Sequence, residues 1–411
     1  MCAVIYRASA GEPDADTLQS FYVLTTGVLL VILALTIRPR SFTHLPMAPG
    51  RVVAIIPAFC EDTAALHQTI AALLNSSRVP DEVHVVDDGS RPHAVRFGDP
   101  RVFWHRQPNT GKREAQALVL RELLWEQRRG RRRADFILTV DSDSVVDRHA
   151  VAELLRAMSR RRVQAATGLP LVRNRSASVW TRIIDLEMVT ACLTLRAARS
   201  KLGVVAPCSG ALSLYRADLV LDNLDDYVTS GTVGDDRRLT HYALQRGEAV
   251  AVDDAVVYTD MPATVRALYQ QRVRWYRSYW RYALWELAHL RRGPALWRAY
   301  AMVMTVVTPI ALAWVLVVAP LAGHGLVWQG WVYWLGLTWA AGLRYVGHRP
   351  GLSWWPRLWV WACLTPLLMA VQVVVIRPAM WQALAQVRQL GWVTRGAAAP
   401  EVRPHLRRNV S

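Results

Sequence analysis

From Arg51 to about Asp260, short apolar runs alternate with amphipathic stretches. VVAIIP (52–57), EVHVVD (82–87), RVFW (101–104), DFILTV (135–140) and VQAATG (163–168) read as strands, being short and mostly rich in β-branched residues. Thr63–Asn75 and Lys112–Gln127 lie between them with apolar residues at helical spacing. The alternation predicts an α/β domain with a mostly parallel sheet. In such a sheet the ligand crevice opens at the carboxyl ends of the strands.

The pattern changes on both sides of this region. Phe21–Ile37 is continuously apolar and just long enough to be an inserted helix; without a basic start or a small-residue cleavage site it reads as a retained anchor. Glu12, Asp14 and Asp16 precede it, and Arg38 and Arg40 follow. The positive-inside bias therefore predicts an integral plasma-membrane protein, N-terminus outside, with the next domain in the cytosol. Further apolar spans lie at Tyr300–Pro320, Leu326–Leu343 and Leu358–Ile376. Three such spans would return the tail to the outside, whereas Arg377, Arg388, Arg395, Arg403, Arg407 and Arg408 argue for a cytosolic tail; a re-entrant or merged span would reconcile the two. Residues 264–290 repeat apolar side chains at three- and four-residue steps, with Arg266, Arg274, Arg277 and Arg281 among them. This reads as an amphipathic helix at the membrane interface, although a basic helix packed on the soluble domain gives the same pattern. The expected division is an N-terminal tail and anchor (1–40), a catalytic domain (50–262), the amphipathic helix (263–292), C-terminal spans (298–378) and a basic tail (379–411).

Composition narrows the partners. The 411 residues carry a formal net charge of +17 and include 18 Trp. That balance suits membrane lipids, a nucleotide diphosphate or an anionic polymer, and the Trp content suits an interfacial belt. No nucleic-acid motif is visible, so nucleic acid is not expected as a partner. The five cysteines are odd in number, scattered and without metal-ligand spacing, which fits a reduced compartment. RRGRRR (128–133) reads as a solvated loop.

The candidate chemistry lies in carboxylates at strand and helix ends. VDSDS (140–144) closes a strand with Asp141 and Asp143 around a tight turn. Mg²⁺ or Mn²⁺ is often held by one or two carboxylates plus substrate phosphates. VVDDGS (85–90) offers Asp87 and Asp88 to a nucleobase edge or ribose, or forms a simple turn. NTGKREA (109–115) places Lys112 and Arg113 at a helix start, which either meets a phosphate or uracil carbonyl or is a simple N-terminal cap. VGDDRRLTHYAL (233–244) puts Asp235 and Asp236 at a helix start, where two adjacent carboxylates either cap the helix or, with one pKa raised, suit a general base. In QRVRW (271–275), Arg274 can neutralise a diphosphate and Trp275 offers a flat ring to a sugar.

In order and setting these motifs resemble the family 2 glycosyltransferases that polymerise sugars across membranes, the hyaluronan, cellulose and chitin synthases. The resemblance covers roughly residues 50–290, and GWVTR (391–395) is similar to the family's W-G-T-R ending. It implies a GT-A fold with Asp88 at uridine, Asp143 at the metal, Asp236 as base, and Gln271, Arg274 and Trp275 lining the acceptor site. UDP-sugar donors and a growing polysaccharide acceptor follow from the same resemblance. CSGALSLYR (208–216), RAARS (196–200), GDDRRLTHYAL and RWYRSYWR look most like bacterial hyaluronan synthases. That implies hyaluronan made from UDP-GlcNAc and UDP-GlcA; a chitin-like or other β-glycan, or transfer of one sugar to a lipid, are the alternatives. Two positions depart from the family: Cys60 stands where Asn is usual, and Ala211 where Pro is usual.

Overall fold

The computed structural model describes residues 15–38, 40–230, 234–314, 318, 321–323 and 328–388. The GWVTR string, Glu12, Asp14, Val233, Arg395, Arg403, Arg407, Arg408 and the ends of two expected spans lie outside these residues.

Eight strands form one sheet: β1 (Val52–Ala58), β2 (Glu82–Asp87), β3 (Val102–Arg106), β4 (Phe136–Thr139), β5 (Val145–Val146), β6 (Val163–Val172), β7 (Ser213–Arg216) and β8 (Glu248–Thr259). Their spatial order is β3-β2-β1-β4-β7-β6-β8-β5. β1, β2, β3 and β4 pair in parallel, as do β6 and β8. The sheet is less uniform than the sequence pattern suggests, because β7 runs antiparallel to both β4 and β6, and β5 antiparallel to β8. β5, β7 and β8 were not among the expected strands.

The central strands are covered on both faces. In β1, Val52, Ala54 and Ile56 join a core beneath the helices Thr63–Leu74 and Ala150–Met158. Val53 and Ile55 face the opposite core, shared with Lys112–Arg128 and Asp235–Arg246. Because side chains alternate along a strand, a doubly covered strand must be apolar throughout. The continuous apolar run of β1 follows from that requirement.

A third cluster joins this domain to the later helices. Leu169 and Leu171 of β6 pack with Ile183 and Leu186 of the helix Val179–Ala191, and with Tyr345, Val360 and Leu364. Buried Asp185 anchors the contact, accepting from Tyr345 Oη at 2.8 Å and Arg349 Nη2 at 2.9 Å.

The expected amphipathic helix runs from Val265 to His289, with the Thr264 hydroxyl accepting from the Ala267 N–H. Protein flanks much of it: Val273 meets Ala379 and Ala383, Arg272 pairs with Glu187, and Arg277 is buried. Arg266 is exposed, so the basic positions divide between interior and surface. Arg132 of the expected solvated loop donates to Glu82 at 2.9 Å.

Among the described residues one helical stretch, Trp354–Ala385, is long and apolar enough to cross a membrane, an 18-residue window of it reaching a mean hydropathy of 2.1. Trp354, Trp355 and Trp359 stand exposed near its start. At the N-terminus a helix covers Ala15–Ile37, of which Thr26–Ile37 is a shorter apolar stretch. The Arg292–Ala313 and Trp328–His348 helices occupy parts of the other two expected spans.

Candidate active site

The carboxylates singled out in the sequence gather near the carboxyl ends of the strands. Asp87 is the last residue of β2, and its Oδ1 accepts from the Ser90 N–H at 2.9 Å. Asp88 follows it, buried. Its Oδ1 accepts from the Thr110 N–H at 3.0 Å and Gln107 Nε2 at 2.7 Å, and its Oδ2 from the Gly111 N–H at 2.8 Å. Asp88 thus fixes the turn that begins the helix Lys112–Arg128, where Gly111 adopts φ +100°. An L side chain is strained at such a φ.

That turn positions Lys112, whose Nζ lies 2.6 Å from Asp141 Oδ1 and 3.0 Å from Asp235 Oδ2. One ammonium therefore bridges the turn after β4 to the start of the helix Asp235–Arg246. Sequence reading placed Lys112 at a phosphate; in the structure it holds two of the candidate carboxylates together. Burial opposes its charge, but Asp141 and Asp235 prevail and raise the Lys112 pKa well above its ordinary value.

The two carboxylates of the GDD string part company electrostatically. Burial tends to raise Asp235, but the Lys112 charge and hydrogen bond outweigh it and hold Asp235 below the usual range. Asp236 is pushed up to about 6, first by burial and then by the Asp235 charge. Its Oδ1 accepts from the Arg237 N–H at 2.7 Å. Neighbouring carboxyls held apart in this way divide into one that stays ionised and one that titrates near neutrality, the combination a general base requires.

Asp141 and Asp143 flank Ser142, whose Oγ donates to Glu61 Oε2 at 2.8 Å. Asp143 Oδ1 lies 3.5 Å from Thr259 Oγ1 at the end of β8. Gly210 packs closely against this turn: a Cβ there would stand 3.1 Å from Lys112 Nζ and 3.2 Å from Asp141 Oδ2. Two carboxylates in an oxygen-rich turn are of the donor type that suits a hard divalent cation.

The other candidates lie further out. Arg113 donates to the Tyr227 carbonyl at 2.9 Å and to Ser230 Oγ at 2.6 Å, with its guanidinium over the Tyr227 ring. Gln271 is buried, its Nε2 toward Met261 Sδ at 3.8 Å and its Oε1 without a partner. Trp275 is 40% exposed, with Arg272 across its ring at 4.6 Å. Arg274 precedes Ser278 by one helical turn, and Ser278 abuts Gly234, where a Cβ would overlap Ser278 Oγ. That contact seats the QRVRW helix against the Asp235–Arg246 helix.

Sequence reading missed what supports these groups. Buried Glu286 accepts from Arg237 Nη1 at 2.9 Å, lies 2.8 Å from His241 Nε2 and pairs with Arg298, locking the two helices together. Only the helical spacing of Arg237 and His241 hinted at this. Cys60 adopts φ +50°, a left-handed conformation in which Asn is enriched. The family's usual Asn fits that backbone; here the Cys60 N–H is held by Ser90 Oγ at 2.8 Å.

A family model described as "Glycosyltransferase like family 2" matches residues 49–278. The chain belongs to that family. It is an enzyme, a hexosyltransferase with a GT-A fold. A hyaluronan synthase of Streptococcus pyogenes is 32% identical over 310 residues, covering 70% of this chain and 72% of the relative. An N-acetylglucosaminyltransferase of Sinorhizobium fredii is 34% identical over 250 residues, covering 57% and 58%. Among solved structures, a mannosyltransferase from Pyrobaculum calidifontis in complex with GDP-Man and Mn²⁺ superposes with a TM-score of 0.53, covering 90% of this chain and 98% of that one. At 16% identity that likeness speaks to the fold of this family 2 transferase.

Proposed function

We propose that this transferase is a membrane-embedded, processive, inverting polymerase that joins UDP-sugars into a β-linked polysaccharide, namely hyaluronan built from UDP-GlcNAc and UDP-GlcA. The observation that carries the reading is the Asp141–Lys112–Asp235 cluster with Asp236 held near 6 beside it. It sits in a chain 32% identical to a hyaluronan synthase.

Asp236 removes the proton from the acceptor hydroxyl as that oxygen attacks the anomeric carbon. The bond from the anomeric carbon to the diphosphate oxygen breaks, and UDP leaves without protonation. Asp235, kept ionised by Lys112, ensures that Asp236 rather than Asp235 exchanges the proton. Asp141 and Asp143 would hold a Mg²⁺ or Mn²⁺ ion, which supplies charge neutralisation for the departing diphosphate. Lys112 and Arg113 serve the donor's phosphates and uracil, and Asp87 and Asp88 read the nucleoside. Gln271, Arg274 and Trp275 line the acceptor site.

The exposed Trp354, Trp355 and Trp359 beside the apolar Trp354–Ala385 stretch suit a headgroup-level aromatic belt, with the catalytic domain on the cytosolic side. A hydrophilic product leaving there needs a protein-lined passage, because the bilayer core leaves polar groups unsatisfied.

Product digestion tests the reading. The full-length protein in nanodiscs is given both labelled donors with Mg²⁺ or Mn²⁺. A polymer degraded by hyaluronidase supports hyaluronan; a chitinase-sensitive product from UDP-GlcNAc alone makes the enzyme a chitin-like synthase. Label that partitions into organic solvent as a single sugar overturns the polymerase reading.

A further inference from the structure

A second group of potential ligands lies at the β3 edge of the sheet, away from the DxD turn. β2 and β3 pair in parallel, with His84 opposite Phe103 and Val86 opposite His105. The two imidazoles lie edge to edge, with centroids 5.1 Å apart and planes 13° from parallel, and His84 Nδ1 lies 2.9 Å from His105 Nε2. Glu122, on the helix Lys112–Arg128, completes the group: one donor atom from each of His84, His105 and Glu122 lies within 4.8 Å of the others.

The tautomer of His84 follows from its other side. His84 Nε2 faces Glu82 Oε2 at 3.3 Å, while Glu82 Oε1 is held by Arg51 at 2.5 Å and Arg132 at 2.9 Å. A carboxylate fixed by two guanidinium groups accepts, so the His84 proton belongs on Nε2 and the Nδ1 lone pair points at His105. A histidine whose far N–H is held by a carboxylate is the usual arrangement of a metal-bound imidazole.

We propose that His84 Nδ1, His105 Nε2 and the Glu122 carboxylate bind a single imidazole-preferring divalent cation, Zn²⁺ being the natural probe. Tetrahedral Zn²⁺ with Zn–N bonds of about 2.0–2.1 Å sets its nitrogens roughly 3.3 Å apart. The two nitrogens therefore need to separate by a few tenths of an ångström and their rings to tilt so that both lone pairs converge on the ion, and Glu122 is exposed and free to swing in. Water would fill the fourth position. The cation would tie the edge strand to the helix whose first residue is Lys112. Its donor set differs from the all-oxygen turn of Asp141 and Asp143, which suits harder ions.

The test is a Zn²⁺ titration of the chelator-stripped, full-length protein in nanodiscs, read by competition with a chromophoric indicator. Excess Mg²⁺ is present to occupy the oxygen site. The proposal expects one tight equivalent in the wild type, lost in His105→Gln and weakened about tenfold or more in Glu122→Gln. Circular dichroism checks that both variants fold; should His105→Gln not fold, the surface variant Glu122→Gln decides. Equal Zn²⁺ affinity in wild type and Glu122→Gln, or no tight equivalent in the wild type, overturns the proposal and leaves a histidine–histidine hydrogen bond.

Discussion

Replacing Asp236 with Asn separates its chemical role from its structural one. The side chain keeps its shape and can still accept from the Arg237 N–H, but it can no longer take a proton. General-base help is worth about 10²–10⁴-fold, so kcat should fall by that factor while UDP binding stays nearly unchanged. Stability should move the other way. A folded carboxyl at about 6 against an ordinary 3.8 carries a cost on the order of 3 kcal/mol when ionised at neutral pH, an upper bound on what Asn can recover. Because the folded pKa is the higher one, wild-type stability falls as pH rises from about 4 through 6, and Asp236→Asn should remove that fall. The wild-type rate should rise about tenfold between roughly pH 5 and pH 7, as the ionised fraction goes from ~0.1 to ~0.9. UDP release from donor-saturated nanodiscs measures the rate, isothermal titration with UDP the binding, and thermal melts across pH the stability. A variant retaining more than about a tenth of wild-type kcat, or one that loses UDP binding, would refute the assignment of the base.

Other perturbations address the supporting contacts. Lys112→Met removes the counter-charge of Asp141 and Asp235 and the positive charge that lowers Asp236; Asp236 should then titrate higher, moving the acid limb of the pH–rate profile upward and raising KM for the donor. Gly210→Ala places a methyl group beside Lys112 Nζ and Asp141, and should raise the Mg²⁺ or Mn²⁺ concentration needed for half-maximal rate with little change in Tm. Glu286→Gln leaves Arg237 and Arg298 poorly compensated in a buried site, so thermal or denaturant unfolding should show a loss of about 3–5 kcal/mol. Removing divalent ions with EDTA should stop UDP release, and adding back Mg²⁺ or Mn²⁺ should restore it.

The parts of the fold legible in the sequence were those with a local cause. β1 is apolar throughout because both its faces are covered, and the carboxyl ends of β2 and β4 lead into Asp87, Asp88 and Asp141 as the parallel-sheet rule expects. β7 and β5 escaped notice because they are four and two residues long, and their pairing depends on distant strands. The GDD string suggested a carboxyl with a raised pKa, but not which one. That depends on Lys112, more than a hundred residues away, reaching Asp235 rather than Asp236. Periodicity marked the Val265–His289 helix but could not show that Glu286 would draw Arg237, His241 and Arg298 into one buried cluster.

The central claim is that one carboxylate cluster serves two different donors. Initial UDP release by the purified full-length protein, with UDP-GlcNAc alone, UDP-GlcA alone and both together, tests it most directly. The account predicts sustained release only with both donors, abolished by Asp236→Asn. Sustained release from a single donor, undiminished by leaving the other out, would contradict it.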